Sequence, residues 1–200
     1  MNTIAVLAST RGTDLQAIID ATEAGSLDAQ VVVVVSNKEC PALERARSHG
    51  IPAVRIDAKG KEREAYDREV AAVIDSYHAG LILCIGYMRI LSPWFVSTYR
   101  NRVMNIHPSL LPAYAGQMDL DLHAAVLERG CTVTGASLIF IDEGADTGPI
   151  ISQQAVEVAP DDTAESLKGK VQRAEQELLL EAIPLYFAGR LIVQGGKVAR

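Results

Sequence analysis

The stretch Ile4-Ala5-Val6-Leu7-Ala8-Ser9-Thr10-Arg11-Gly12-Thr13-Asp14 decides the fold: an unbroken apolar run passes into a short polar turn containing one glycine. A continuous run of this length fits a strand covered on both faces, as in a parallel sheet. The turn then opens a helix. Thr13 and Gln16 have the spacing of a capping box, Leu15, Ile18 and Ile19 form an apolar face, and Gly25 is placed to end the helix. A second apolar run, rich in β-branched residues, occupies 31–35. The unit is therefore strand, loop, helix, strand.

The same alternation continues outward. Pro41 stands in the first turn of a helix ending near Gly50, and residues 53–56 follow as a strand. Over 62–77, Tyr66, Val70, Val73, Ile74 and Tyr77 recur at helical spacing, with Glu64 and Arg68 set to pair on the wet side. Residues 81–85 read as a central strand, 93–99 as a short helix and 103–106 as the next strand. Two longer strands, 132–141 and 149–156, are joined by the loop 142–148. A last helix starts near Thr163, buries Leu167, Val171, Ala174 and Leu178, and ends by Gly189. No internal repeat or low-complexity linker interrupts the pattern, so the expectation is one α/β domain over 1–200.

Composition narrows the function. The formal charge of −6 opposes general nucleic-acid binding, which needs a basic face to displace phosphate counterions. Cys40, Cys84 and Cys131 are odd in number and lack paired spacing, so neither a disulfide framework nor a thiolate zinc site is expected. A reducing cytoplasm is the expected location. The sequence starts without a secretory signal pattern, and the apolar run 80–86 is too short to cross a bilayer. His49, His78 and His123 lack ligand-spaced neighbours, so no metal is expected, and each reads as a surface or loop residue.

Chemistry concentrates in Asn105-Ile106-His107-Pro108-Ser109-Leu110-Leu111-Pro112 and in Asp146-Thr147-Gly148-Pro149. Asn105 and His107 alternate onto one side of a strand end, so an amide donor and an imidazole can converge on one carbonyl. A histidine titrates near neutral pH, and a carboxylate such as Asp146 can hold its charge. Taken singly, His107 also fits a structural role, and Asp146 fits a turn carboxylate bonded to its own backbone. Asp146-Thr147-Gly148 occurs once, without the paired carboxylate that an aspartic protease needs. The segment 9–14 offers backbone N–H groups to an anion and serves equally as a plain helix start. The dinucleotide and P-loop fingerprints are absent. Gln172 and Glu175, three apart on the last helix and off its apolar face, can reach one ligand together or form a solvated face.

Four motifs, Ser36-Asn37-Lys38, Gly86-Tyr87-Met88-Arg89-Ile90-Leu91-Ser92-Pro93, Asn105 to Pro112, and Asp142-Glu143-Gly144-Ala145-Asp146-Thr147-Gly148-Pro149, carry a resemblance spanning nearly the whole chain. The sequence resembles the folate-dependent phosphoribosylglycinamide (glycinamide ribonucleotide) formyltransferase family of purine biosynthesis. That resemblance implies a Rossmann-like formyltransferase fold, with a mostly parallel central sheet, flanking helices and a C-terminal antiparallel extension. Approximately residues 1–100 would bear the ribonucleotide, and 101–200 the folate and the catalytic groups. It implies transfer of a formyl group from 10-formyltetrahydrofolate, as co-substrate and without metal, to the amine of glycinamide ribonucleotide.

By position, Asn105, His107 and Asp146 match the family's catalytic trio. Arg11, Gly12, Thr13 and Asp14 match its phosphate loop, while Gly86, Pro108, Gln172 and Glu175 match other ribonucleotide contacts. Met88, Arg89, Ile90, Leu91, Ile141, Asp142 and Gly144 match its folate pocket. Two departures stand out: the usual Gly-x-Gly-Ser-Asn loop is here Thr10-Arg11-Gly12-Thr13-Asp14, and Ile139 stands where a histidine is common. The implied partners are the two small molecules, with neither nucleic acid nor membrane, and a homodimer is left open.

Three alternatives carry weight. Formyltetrahydrofolate hydrolases resemble longer proteins and usually read Asn-Ile-His-His-Ser where this chain has His107-Pro108. Methionyl-tRNA formyltransferases carry an additional tRNA-binding domain. A binding module of the same fold without turnover would not need the intact trio. The segment 113–123, with Gly116 and polar neighbours, reads as a loop able to close over a ligand.

Overall fold

The structure is a computed structural model that describes residues 2–117 and 119–199. Met118, within the segment 113–123, lies outside the described residues, as do Met1 and Arg200. The strand order β3-β2-β1-β4-β5-β6-β7 defines one seven-stranded sheet, accompanied by a two-stranded β8-β9 hairpin. The chain forms two compact units, Met1–Asn105 with Ile141–Glu143, and Ile106–Phe140 with Gly144–Arg200.

The first unit contains β1 (Thr3–Ala8), α1 (Thr13–Glu23), β2 (Gln30–Ser36), α2 (Pro41–Ser48), β3 (Ala53–Arg55), α3 (Arg63–Ser76), β4 (Leu81–Ile85), α4 (Pro93–Thr98) and most of β5 (Val103–His107). Its strand pairs are all parallel, β1 with β2 and β4, β2 with β3, and β4 with β5. Residues 4–8 of β1 are wholly buried, as a strand covered on both faces requires. β2 and β4 leave β1 on opposite sides, so the strand order reverses there. Loops diverge at the carboxyl ends of such a pair and leave room for a ligand.

The helices of the first unit follow from sequence, with one exception at a cap. Tyr66, Val70 and Ile74 of α3 are fully buried, and Arg68 bonds Glu64 at 2.7 Å on the outer face. At α1 the expected Thr13–Gln16 capping box is absent. The N-cap is Gly12, in the left-handed region at φ 69°, and no side chain caps the helix. Thr13 is already helical, so its hydroxyl is misplaced for the box, and the Gln16 amide engages other partners described below.

The second unit holds α5 (Asp119–Glu128), the antiparallel pair β6 (Val133–Phe140) and β7 (Ile150–Glu157), α6 (Ala164–Phe187), β8 (Ile192–Gln194) and β9 (Lys197–Ala199). Part of the segment read as a loop over 113–123 is therefore helix α5. Its Leu122 and Val126 are buried with Leu167, and His123 is 2% exposed, correcting its reading as a surface residue. The i, i+1, i+4 placement of these three residues turns the imidazole inward with the apolar face. α6 opens on a capping box in which Ser166 N–H donates to Thr163 Oγ1 at 3.1 Å and Thr163 N–H to Ser166 Oγ at 2.9 Å. Asp162 accepts from Lys170, Ser166 and the Ala159 N–H, which hold its carboxyl down at about 2.

Candidate active site

In the first unit the loops that leave the carboxyl ends of β1 and β4 are bonded to each other. Ser9 N–H donates to Gly86 O at 3.1 Å, joining the loops that leave β1 and β4. Ser9 Oγ donates to Asn37 Oδ1 at 2.7 Å and accepts from Met88 N–H at 3.3 Å. Gly86 has φ 57°, and a Cβ there would lie 2.1 Å from Thr10 Oγ1, so only glycine admits this approach. Asn105 lies opposite Cys84 of β4, near the end of β5.

The segment 88–91 mixes two surfaces. Met88 and Ile90 are exposed large apolar side chains, whereas Leu91 is buried. Between them the Arg89 guanidinium lies 4.4 Å from the Tyr66 ring centroid, within cation–π range. Ser92 N–H donates to the buried Asp67 carboxylate at 2.6 Å, and Ser92 caps α4, which fixes the end of the segment. Ile141 N–H bonds Val103 O at 2.9 Å, anchoring residues 141–143 beside β5.

In the phosphate-loop candidate, Asp14 is 6% exposed in the first turn of α1, where the helix dipole favours a negative charge. Arg11 is exposed, Gly12 buried and Thr13 half-buried.

The second unit holds the imidazole and the carboxylate. His107 is 1% exposed at the end of β5, and its Nδ1 lies 3.5 Å from Asp146 Oδ2. Nε2 lies 3.1 Å from Tyr114 O. A carbonyl only accepts, so Nε2 carries the proton in the neutral ring and Nδ1 is the basic nitrogen. Burial lowers the His107 pKa from its ordinary value, and the Asp146 charge and the Tyr114 carbonyl oppose that shift in part.

Asp146 is held from two directions. Gly116 N–H donates to its Oδ2 at 2.9 Å, and its backbone adopts φ 57°, which few residues other than glycine, asparagine and aspartate take up readily. Tyr114 also has a left-handed backbone, at φ 57°, and its hydroxyl lies 3.7 Å from Cys131 Sγ.

The chain leaving His107 is fixed by a buried hydroxyl. Ser137 Oγ donates to Ser109 O at 2.7 Å and accepts from Leu111 N–H at 2.9 Å and from Gln153 Nε2 at 2.8 Å. Gln153 Nε2 also reaches Leu111 O at 3.0 Å. Pro108 is half-buried beside this network. On α6, Gln172 is half-buried, but Glu175 is 7% exposed on the buried side, which corrects its expected place off the apolar face. The buried stripe is wide, taking Ala174 and Glu175 together with Leu178 and Leu179. Gly144 is exposed in the loop before Asp146.

Sequence reasoning missed Tyr114, Gly116, Ser137 and Gln153. The first two act through backbone atoms that every residue type supplies. Ser137 did leave a signal: a lone hydroxyl inside the apolar run Ala136-Ser137-Leu138-Ile139-Phe140.

The first unit has the parallel sheet of an α/β protein, and the second pairs a buried imidazole with a carboxylate. The chain belongs to the formyl transferase family, whose pattern matches residues 2–183. It is 42% identical over 190 residues to the phosphoribosylglycinamide formyltransferase of Escherichia coli, covering 94% of this chain and 88% of that protein. It is 40% identical over 188 residues to the Bos taurus trifunctional purine biosynthetic protein adenosine-3, covering 93% of this chain but 18% of that protein. The chain thus spans less than a fifth of the length of this much larger relative. The crystal structure of glycinamide ribonucleotide transformylase 1 from Symbiobacterium toebii superimposes with a TM-score of 0.93 at 39% identity, covering 100% of this chain and 93% of that one.

Proposed function

We propose that this protein transfers the formyl group of 10-formyltetrahydrofolate to the amine of glycinamide ribonucleotide in purine biosynthesis. The buried His107, bonded to a carbonyl at Nε2 and facing a carboxylate at Nδ1, is the observation that carries the chemistry. The membership of the formyl transferase family, with relatives of nearly this length that are named for the reaction, supports the substrates.

In the proposed reaction the glycinamide nitrogen attacks the formyl carbon. The new C–N bond forms and the carbonyl π pair moves to oxygen. The amine proton passes to His107 Nδ1, relayed through water beside Asp146, and the resulting imidazolium is balanced by that carboxylate. The side-chain amide of Asn105 donates to the oxyanion, and the imidazolium charge stabilises it further. The bond to the folate nitrogen then breaks, that nitrogen takes the electron pair, and the proton returns to it from His107. A lowered pKa suits this cycle, because the resting ring is neutral and ready to accept.

The exposed Met88 and Ile90, flanking Arg89, suit a flat heteroaromatic ligand with an anionic end, so residues 88–91 with Ile141, Asp142 and Gly144 are assigned to the folate. Arg11, Gly12, Thr13 and Asp14, with Gly86, Pro108, Gln172 and Glu175, are assigned to the ribonucleotide. No helix among the described residues is long and apolar enough to cross a membrane.

The test is deformylation of 10-formyl-dideazafolate with and without glycinamide ribonucleotide. The expected result is donor consumption that depends on the ribonucleotide and yields a formylated amine. Equal consumption without ribonucleotide would replace this reading with hydrolysis, and binding of both ligands without turnover would replace it with a binding module.

A further inference from the structure

We propose that Arg45 of α2 is a positioning residue for the ribonucleotide phosphate, acting through the backbone of the 10–14 loop. This rests on the assignment of that loop to the ribonucleotide. Two carbonyls of the loop are fastened to α2: Ala42 N–H donates to Thr10 O at 3.3 Å and Arg45 Nε donates to Arg11 O at 2.8 Å. A trans peptide is planar, with its C=O and N–H on opposite sides. Turning the Thr10 and Arg11 carbonyls toward α2 therefore turns the Arg11 and Gly12 N–H groups away from it. Gly12 then enters α1 in the left-handed conformation with no side-chain cap, so no hydroxyl or carboxylate of the cap residue competes for those donors.

Contact between loop and helix is tight enough to transmit this orientation. A Cβ on Gly12 would stand 2.8 Å from Ala42 Cβ and 3.6 Å from Arg45 Cδ. The guanidinium itself is set by a second partner, because Arg45 Nη1 donates to Gln16 Oε1 at 3.0 Å. That bond directs the Gln16 amide nitrogen to Asp20 Oδ1 at 2.7 Å and His49 Nε2 at 3.1 Å. His49 therefore accepts at Nε2 and donates from Nδ1 to Glu23 at 2.7 Å. The chain Glu23–His49–Gln16–Arg45 fixes a cation against the loop from outside. Lysine cannot reproduce this, since one ammonium lacks the planar fork that spans two acceptors.

The experiment compares the full chain with Arg45→Ala and Arg45→Lys. It reads kcat, the KM for each substrate, the dissociation constant for ribose 5-phosphate from the amide NMR shift of Gly12, and Tm. Arg45→Ala is expected to raise the ribonucleotide KM and the ribose 5-phosphate Kd about tenfold, with the folate-donor KM and kcat held within about twofold and Arg45→Lys in between. The role is overturned if the ribose 5-phosphate Kd is unchanged in Arg45→Ala, if both KM values rise together with a fall in Tm, or if the unsubstituted protein binds no ribose 5-phosphate. Should the unsubstituted protein bind ribose 5-phosphate in an Arg45-dependent way yet show no ribonucleotide-dependent transfer, the functional reading falls and the role of Arg45 stands.

Discussion

Replacing Asp146 by asparagine isolates the charge that faces His107. The substitution keeps the shape of the side chain, keeps an oxygen to accept from Gly116 N–H, and suits the left-handed backbone at φ 57°. Only the charge is lost. At the observed 3.5 Å, a unit pair with an effective dielectric of about 20 is worth about 4–5 kcal/mol, and this is the ceiling on what Asp146 adds to an imidazolium formed during transfer. About 1.4 kcal/mol corresponds to tenfold in rate, so the ceiling is roughly three decades. Since the asparagine carbonyl dipole recovers part of it, kcat is expected to fall by about 10² to 10³. The assay is ribonucleotide-dependent deformylation of 10-formyl-dideazafolate at saturating concentrations of both substrates, alongside a thermal melt. A loss in kcat smaller than about fivefold would refute the charge-balancing role, as would a larger loss matched by unfolding at the assay temperature.

Three further outcomes follow from the same geometry. Burial lowers the His107 pKa, so below its unfolded value of about 6.5 the unfolded chain takes up a proton that the native ring resists. The stabilisation is complete above that pH and is lost as pH falls toward the native pKa; urea midpoints at successive pH values should show it, and His107→Gln should flatten the dependence. Ser137→Ala removes the partner of Leu111 N–H and Ser109 O in a buried setting, which is expected to cost about 2–3 kcal/mol in denaturant unfolding. Unchanged stability would show that water replaces the hydroxyl. In Gly135→Ala the new Cβ would lie 2.0 Å from the Gln154 carbonyl, a backbone atom of the paired strand, so a loss of about 3 kcal/mol or more is expected, and a neutral melt would contradict it.

Most of the fold was legible because its strands are buried on both faces and its helices present one apolar stripe. Residues 4–8, 31–35 and 81–85 can satisfy no other environment. The α5 helix escaped because its amino end adjoins a glycine-containing turn, and the β8-β9 hairpin because its strands are only three residues long, although Gly195-Gly196 was a turn signal. At the site, His107 and Asp146 were readable as residue types whose chemistry needs each other, and they lie 3.5 Å apart. Tyr114 and Gly116 were not, since they contribute a carbonyl and an N–H that sequence does not distinguish from any other. The inward position of Glu175 was also invisible: the apolar residues on either side mark a stripe but not its width.

The unequal burial of the three thiols gives the protein a built-in reporter. Cys40 and Cys84 are shut away from solvent, and burial pushes the Cys84 thiol well above its ordinary pKa, whereas Cys131 is part-exposed. A maleimide fluorophore added to the unmodified protein should therefore attach chiefly at Cys131. There it would sit against Tyr114, the residue whose carbonyl holds the His107 ring, and its emission would follow the surroundings of the imidazole during turnover without any engineered cysteine.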